Sequence, residues 1–174
     1  MTAMSELTTR VKVVRPGEGQ TGGLAPGVGV AFKIDGEDTH GALSVVEHPF
    51  DVGALVPPHV HTREDEISIV LEGEIGFRSE DKEVVLGRGG YIIKPRGEVH
   101  AMWNAGRSEA RMIEIISPAG FEGFFRELVG MTAVGRPTPE QIGALGDRYG
   151  LPFAKPEWLP DVIARYGLTP PPGM

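Results

Sequence analysis

Glycine and proline limit the length of every regular element in the central part of this chain. They account for 25 and 15 of the 174 residues, and they fall between short apolar segments without forming a repeat. Nine such segments are candidate strands: Val30–Ile34, Ala42–Glu47, Gly53–Pro58, Glu66–Leu71, Glu74–Arg78, Glu83–Val85, Tyr91–Lys94, Val99–Asn104 and Arg111–Ile116. A spacing of about 8–12 residues between strands is typical of antiparallel sandwiches and barrels. The sequence therefore predicts an all-β fold.

The periodicity changes to that of helices after Pro118. Apolar residues between Phe121 and Val129 recur every three or four positions, which predicts a helix over Gly120–Gly130. A second helix has a capping box at its start and a left-handed glycine cap at its end, formed by Thr138, Pro139, Gln141 and Gly150. Gly167 closes a short third helix in the same way. We expect two to three short helices to pack on the barrel as a C-terminal extension.

One domain accounts for the whole length, because 174 residues suffice for a single core and no linker interrupts them. Within it we expect three parts: an N-terminal arm and loop, the β-barrel and the helical extension, at residues 1–29, 30–118 and 119–174. In the arm we expect a loose leader, a first strand and a glycine-rich loop, at residues 1–10, Val11–Val14 and Pro16–Gly29.

Charge and composition exclude several classes of partner. A net charge of -7 without a cluster of Lys and Arg argues against nucleic acid and anionic membranes, since both require a positive surface. No apolar run approaches the roughly 20 residues that cross a bilayer. Residues Met1–Arg15 lack the apolar segment of a signal peptide. The absence of cysteine excludes disulfides and thiolate chemistry and is consistent with a cytoplasmic protein.

Three histidines and one glutamate have the spacing of a metal site. His59 and His61 stand two apart, which on a strand directs both imidazoles to the same face. Glu66 has the wrong parity for that strand, so we expect the chain to bend before it. His100 follows Pro95-Arg96-Gly97, which predicts a type I turn that redirects its strand. The acidic neighbours of Glu66 are alternatives for the fourth ligand, namely Glu64 and Asp65.

Three imidazoles and one carboxylate are a suitable donor set for a first-row transition metal ion. Closed structural zinc sites favour cysteine, which is absent, so the sequence predicts an open site with positions left for water or substrate. The same donors accept several ions, and the cofactor is predicted only as one divalent ion of Fe, Mn, Ni, Cu, Co or Zn.

Two motifs of this sequence resemble those of the cupin superfamily. Gly53-x5-His59-x-His61-x4-Glu66-x6-Gly73 matches the first cupin motif, and Gly89-x5-Pro95-x-Gly97-x2-His100-x3-Asn104 matches the second. The resemblance implies a jelly-roll β-barrel that holds a metal ion inside it. It also implies that the ion's ligands are His59, His61, Glu66 and His100. One barrel with a helical extension is similar in layout to small, single-domain, quercetinase-type cupins.

Strand alternation predicts what surrounds the site. Counting from Glu66 and His100, three further side chains should point inward and line a substrate cavity, namely Ser68, Val70 and Met102, while Trp103 points the other way. An apolar wall suits a small aromatic or enol-type substrate. We expect structural roles for the remaining histidines, His40 and His48, and core or interface positions for Phe121, Phe124 and Phe125.

Two classes of function remain open. The resemblance to quercetinase-type cupins implies a metal-dependent dioxygenase in which Glu66 also serves as the catalytic base. The alternative is a non-redox isomerase or decarboxylase, or a cupin that only binds a small molecule. No second strong acid or base falls at motif spacing, which disfavours an acid–base epimerase. Cupins are commonly dimeric, and Val11–Val14 is the segment that we expect to add a strand to a second copy in a homodimer.

Overall fold

A computed structural model describes residues 11–171 of the chain, which form ten β-strands and three α-helices. The strands are β1 Thr21–Ala25, β2 Val28–Ile34, β3 Ser44–Phe50, β4 Leu55–His59, β5 Asp65–Glu72, β6 Glu74–Ser79, β7 Lys82–Gly87, β8 Tyr91–Lys94, β9 His100–Asn104 and β10 Ala110–Ser117. The helices are α1 Glu122–Val134, α2 Pro139–Tyr149 and α3 Leu159–Tyr166. The leader expected at residues 1–10 lies outside the described residues.

The strands form two antiparallel sheets that pack face to face. The six-stranded sheet has the order β1-β2-β3-β10-β5-β8, and the four-stranded sheet has the order β4-β9-β6-β7. Along β10, buried residues alternate with partly exposed ones, so one face of the larger sheet points into the interior. This arrangement confirms the predicted all-β jelly-roll barrel with a helical C-terminal extension.

All nine candidate strands overlap the observed strands β2–β10, but the N-terminal arm differs from our expectation. Val11–Val14 is not a strand, and Val11 and Val13 are exposed. The segment expected as a loop contains β1, which pairs antiparallel with β2. A Cβ atom at Gly22 would lie 2.3 Å from Cγ1 of Val129 in α1. Glycine therefore lets the helix approach the strand closely. Because this position has no room for a larger side chain, β1 lacks the β-branched residues from which a strand is usually predicted.

Helices α2 and α3 end at the glycine caps that the sequence predicted, and α2 also begins at the predicted capping box. Thr138 and Gln141 form the predicted capping box of α2, and Gly150 ends that helix with φ +68°. Gly167 ends α3 with φ +60°. Helix α1 runs beyond the predicted end and stops before Gly135. Among residues 11–171, no helix is both long and apolar enough to cross a membrane.

Buried apolar residues divide into three clusters that fix the helices on the barrel. The first joins α1 and α2 to the inner face of the six-stranded sheet, and it includes Phe121, Phe124 and Phe125, as expected for core residues. The second fills the barrel interior around Val70, Met102 and Met112. In the third, Trp103 packs against α3 on the outer side of the four-stranded sheet, which is the predicted orientation.

An exposed ion-pair network fixes α3 to the edge of the four-stranded sheet. Arg165 donates hydrogen bonds of 2.8 and 2.7 Å to the two carboxylate oxygens of Glu83, and Arg78 donates a third of 2.9 Å. The hydrogen bonds from Arg165 and the one from Arg78 lower the pKa of Glu83 to about 2, although burial opposes them.

The depressed pKa of Glu83 predicts a pH-dependent contribution to stability. Because the folded pKa lies below the unfolded one, the contribution is complete above the ordinary Glu pKa and is lost as the pH falls towards about 2. Glu83→Gln should lower the free energy of unfolding at pH 7 by roughly 1 kcal/mol. In urea titrations the difference from wild type should shrink below the ordinary Glu pKa, and Glu109→Gln, a change at an exposed residue, should have no effect. A difference that persists at the lowest pH would contradict this account.

Candidate metal centre

The strand pair β4–β9 brings the first two imidazoles together. His59 ends β4, His100 begins β9, and the two residues are cross-strand partners. Their ring centroids lie 4.4 Å apart. Pro57 and Pro58 belong to β4 and keep the backbone before His59 extended. The short strand therefore delivers both rings to one point at the end of the barrel.

A bend after His61 turns the chain back so that Glu66 also faces inward, as predicted. The backbone N–H and the hydroxyl of Thr62 donate hydrogen bonds of 3.0 and 2.8 Å to the carbonyl of Gly150, the residue that caps α2. Strand β5 begins at Asp65, directly after the bend. The helical extension therefore helps to fix the chain reversal on which the parity of Glu66 depends.

The turn before His100 differs from the predicted type I turn. The N–H of Glu98 lies 3.4 Å from the carbonyl of Pro95, so Gly97 is the third residue of the turn. Gly97 has φ +83°, which is the value that a type II turn requires at this position. The prediction placed Pro95 at the second position of the turn, where Pro is common, whereas the structure has Pro95 at the first position. Gly97 also donates a hydrogen bond of 2.8 Å to the carbonyl of His61 and so connects the two motifs.

The four predicted ligands converge in the interior. One donor atom from each of His59, His61, Glu66 and His100 lies within 4.8 Å of the others, and all four residues are buried. Nε2 of His61 lies 3.2 Å from Oε1 of Glu66, and Nε2 of His100 lies 3.5 Å from Oε2. Neither acidic neighbour of Glu66 takes part in this group.

The outer nitrogens of the imidazoles face groups that orient the rings. Nδ1 of His59 lies 2.7 Å from the carbonyl oxygen of Pro57, and Nδ1 of His100 lies 3.2 Å from that of Glu98. A carbonyl oxygen can only accept a hydrogen bond, so these two rings carry the proton on Nδ1 and direct the lone pair of Nε2 to the centre. Nδ1 of His61 instead faces the buried carboxylate of Glu64, with 3.7 Å between Nδ1 and Oε2.

The donor set fits a divalent transition metal ion. Nε2 of His100 is buried without a hydrogen-bond partner and points towards the shared centre. Burial, followed by the neighbouring imidazoles, lowers the pKa of His59 well below its ordinary value, so the ring is neutral and free to donate its lone pair. A cation would satisfy the unpartnered nitrogen and balance the charge of Glu66.

Sequence reasoning missed a buried ionic network beside Glu66. Nζ of Lys94 lies 2.9 Å from Oε2 of Glu66 and 2.8 Å from Oε1 of Glu114, and the hydroxyl of Ser68 donates to Oε1 of Glu114 at 2.8 Å. Burial opposes the charge of Lys94, but the two carboxylates outweigh it and raise the pKa of Lys94. Likewise, burial opposes the charge of Glu66, but Lys94 and then the neighbouring imidazoles keep its pKa well below the ordinary value. Charged groups other than the ligands are therefore present in the interior, although none stands at motif spacing.

A cavity of about 120 Å³ lies beside the cluster. His59, His61, Glu66 and Met102 line it on one side, and the phenylalanines of α1 line it on the other. The ring of Phe121 stands edge-on to that of His61, with 4.3 Å between the centroids. The core phenylalanines therefore form the cavity wall as well.

Ser68 and Val70, which we expected to line the cavity together with Met102, are not among its lining residues. Ser68 is fully buried and bonds to Glu114, and Val70 belongs to the core inside the barrel. His48, for which we expected a structural role, donates from Nδ1 to the carbonyl of Gly29 at 2.8 Å and also lines the cavity. His40 is exposed.

The geometry predicts one bound divalent ion per chain. Titration of purified, chelator-treated protein with Co²⁺ or Mn²⁺ should reach a stoichiometry of one and raise the melting temperature, because the ion binds the folded state only. His100→Ala should abolish saturable binding. His40→Asn, a change at an exposed histidine with φ +53°, should leave it unchanged. Equal binding by His100→Ala and wild type would show that the ion sits elsewhere.

Sequence comparison identifies a known domain in the barrel. Residues 47–116 match the family described as the cupin domain. Germin-like protein subfamily T member 2 of Arabidopsis thaliana is 38% identical over 76 residues, which are 41% of this chain and 34% of the relative. Putative germin-like protein 2-1 of Oryza sativa subsp. japonica is 32% identical over 103 residues, 55% of this chain and 47% of the relative. The matches thus span between a third and a half of these relatives.

Solved structures share the fold of the barrel. KdgF from Halomonas sp. superposes with a TM-score of 0.59 at 22% identity, covering 66% of this chain and 99% of KdgF. A predicted oxalate decarboxylase from Thermotoga maritima gives 0.56 at 25% identity, covering 62% and 99%. The polyketide cyclase RemF from Streptomyces resistomycificus gives 0.54 at 25% identity, covering 62% and 80%. The two motifs, the jelly-roll barrel and the match at residues 47–116 together identify a cupin domain in this chain.

Proposed function

We propose that this protein is a metal-dependent enzyme of the dioxygenase type that acts on a small aromatic or enol-type substrate. The observation that carries the proposal is the position of the four-residue cluster. The four donors converge on one point, and three of the four residues, His59, His61 and Glu66, line a largely apolar cavity, so a molecule in the cavity would contact the ion directly. This combination of an open polar centre and an apolar wall is typical of catalytic sites.

The size and chemistry of the cavity support a compact substrate. Its volume of about 120 Å³ is close to that of the roughly 150 Å³ cavity that accommodates one benzene ring. Phe121 and Phe124 present aromatic surface to it, and Leu151 adds an aliphatic wall. Burial of a planar apolar group against these side chains would provide binding energy, and the walls would exclude water from the reacting atoms.

The chain's own residues hold the ion and handle the substrate proton. His59, His61 and His100 would bind the ion through Nε2, and Glu66 would bind it through its carboxylate. A redox-active ion bound there would supply Lewis acidity to the enol oxygen and the electron exchange that dioxygen chemistry needs. Glu66 lines the cavity and carries a negative charge, so it is the group placed to accept a proton from an acidic enol or phenol.

A second candidate is a non-redox reaction, and the Lys94–Glu114 pair favours it. These two charged side chains lie in the interior beside Glu66 and extend the proton-carrying groups beyond a single carboxylate. Two structures that are 25% identical to this chain are described as a predicted oxalate decarboxylase and a polyketide cyclase. Decarboxylation or cyclisation would need the same site without consumption of dioxygen.

Oxygen consumption separates the two candidates. Protein loaded separately with Fe²⁺, Mn²⁺, Ni²⁺, Cu²⁺ or Co²⁺ should take up dioxygen with pentane-2,4-dione or a catechol for at least one ion. A three-ring flavonol should react poorly because it exceeds the cavity. The Zn²⁺ form provides the matched control, since the same donors hold an ion without redox chemistry.

Two results would contradict the dioxygenase proposal. Consumption of substrate at equal rates with and without dioxygen would favour the non-redox reaction. Saturable substrate binding without turnover for any of the ions would indicate a binding protein. Glu66→Gln in the active form should reduce kcat by about 10²-fold or more, the usual contribution of a general base.

A further inference from the structure

Lys94, Glu114 and Ser68 form a buried chain of contacts that ends on Glu66, and we refer to these three residues as the lysine clamp. The side chain of Lys94 is 3% exposed and that of Glu114 is 1% exposed. Lys94 contacts both carboxylates, and Ser68 donates to the oxygen of Glu114 that faces Lys94. All these contacts are 2.8 or 2.9 Å long, which is the distance of close ion pairs and hydrogen bonds.

Sheet register fixes the lysine clamp in place. Lys94 is the cross-strand partner of Glu66 in the β8–β5 pair, and Glu114 is the partner of Ser68 in the β5–β10 pair. Cross-strand partners that face the same side are close neighbours in an antiparallel sheet. Three adjacent strands therefore hold the four side chains on the inner face, and no loop is needed to position them.

A buried ionic network such as the lysine clamp is not needed to stabilise a barrel interior. Each buried charge loses its hydration, and apolar residues of similar volume often stabilise a fold as well or better. Its neighbours on the inner face, Met112 and Ile116, show that this surface packs well without charge. A role towards Glu66 accounts for its presence better than fold stability does.

The two oxygens of Glu66 have different surroundings. Oε1 lies 3.2 Å from Nε2 of His61, whereas Oε2 lies 2.9 Å from the ammonium group of Lys94 and further, at 3.5 Å, from Nε2 of His100. We propose that Lys94 is a positioning residue that occupies Oε2 and leaves Oε1 as the one carboxylate oxygen for the ion. This inference rests on the metal centre of the proposed function. It assigns Glu66 a single metal bond and so keeps a coordination position open for the substrate.

Replacing both Lys94 and Glu114 by neutral residues tests the lysine clamp, because neither residue of this ion pair then leaves the other buried as an unpaired charge. The double variant Lys94→Met/Glu114→Gln removes one positive and one negative side chain, and the new amide oxygen can still accept from Ser68. Without the ammonium group, Glu66 is free to rotate and to bind through both oxygens. The visible absorption spectrum of the Co²⁺ form should therefore change, because it reports the coordination number. Affinity for Co²⁺ should fall by about tenfold, as for other residues that orient a ligand.

A lysine on the outer side of the sheet provides the control. Lys33 pairs with Glu47 at 3.8 Å on the outside of the barrel, and Lys33→Met should leave both the spectrum and the affinity unchanged. The inference is overturned if wild type binds Co²⁺ and the double variant gives the same spectrum and affinity. If wild type binds no ion, the proposed function fails and the inference fails with it. Circular dichroism of the metal-free variants establishes that the comparison concerns folded protein.

Discussion

Antiparallel register on the inner faces of the two sheets is the constraint on which the site depends. It places His59 opposite His100 in one sheet and Glu66 opposite Lys94 in the other. Side chains alternate with period two, so a slip of one residue in either pair would turn these groups to the outer face. The metal donors and the charge that orients one of them therefore follow from a single geometric condition, which the buried apolar residues on the same faces enforce.

The ligands could be predicted from the sequence because their signals are local. The spacing of His59 and His61 alone predicts that they share one face of a strand, and the two prolines before them predict an extended backbone. The caps of α2 were equally visible, since Thr138 and Gln141 are three residues apart. Such features depend on the backbone geometry of only a few neighbouring residues. Tertiary packing did not alter that geometry, so the local signals predicted it correctly.

The lysine clamp and strand β1 were not predictable in the same way. Lys94 reaches Glu114 only because β5 lies between β8 and β10, and that order joins strands far apart in sequence. One sign was present, because Glu114 stands at the inward parity of an apolar strand, between Met112 and Ile116. Strand β1 carries glycines where a helix presses against it, so propensity indicated a loop while packing required a strand.

The parts that hold an ion and the parts that select a substrate occupy different stretches of the chain. The ligands and the lysine clamp all lie within residues 47–116, the part that matches the cupin domain. Much of the cavity wall lies outside it, in β1 and β2 on one side and in α1 and α2 on the other. A relative aligned only over the domain therefore shares the donors without sharing the wall. On a common fold, the residues that line the site decide which substrate reacts. In this chain, Phe121, Phe124 and Leu151 of the cavity wall therefore determine which substrate fits.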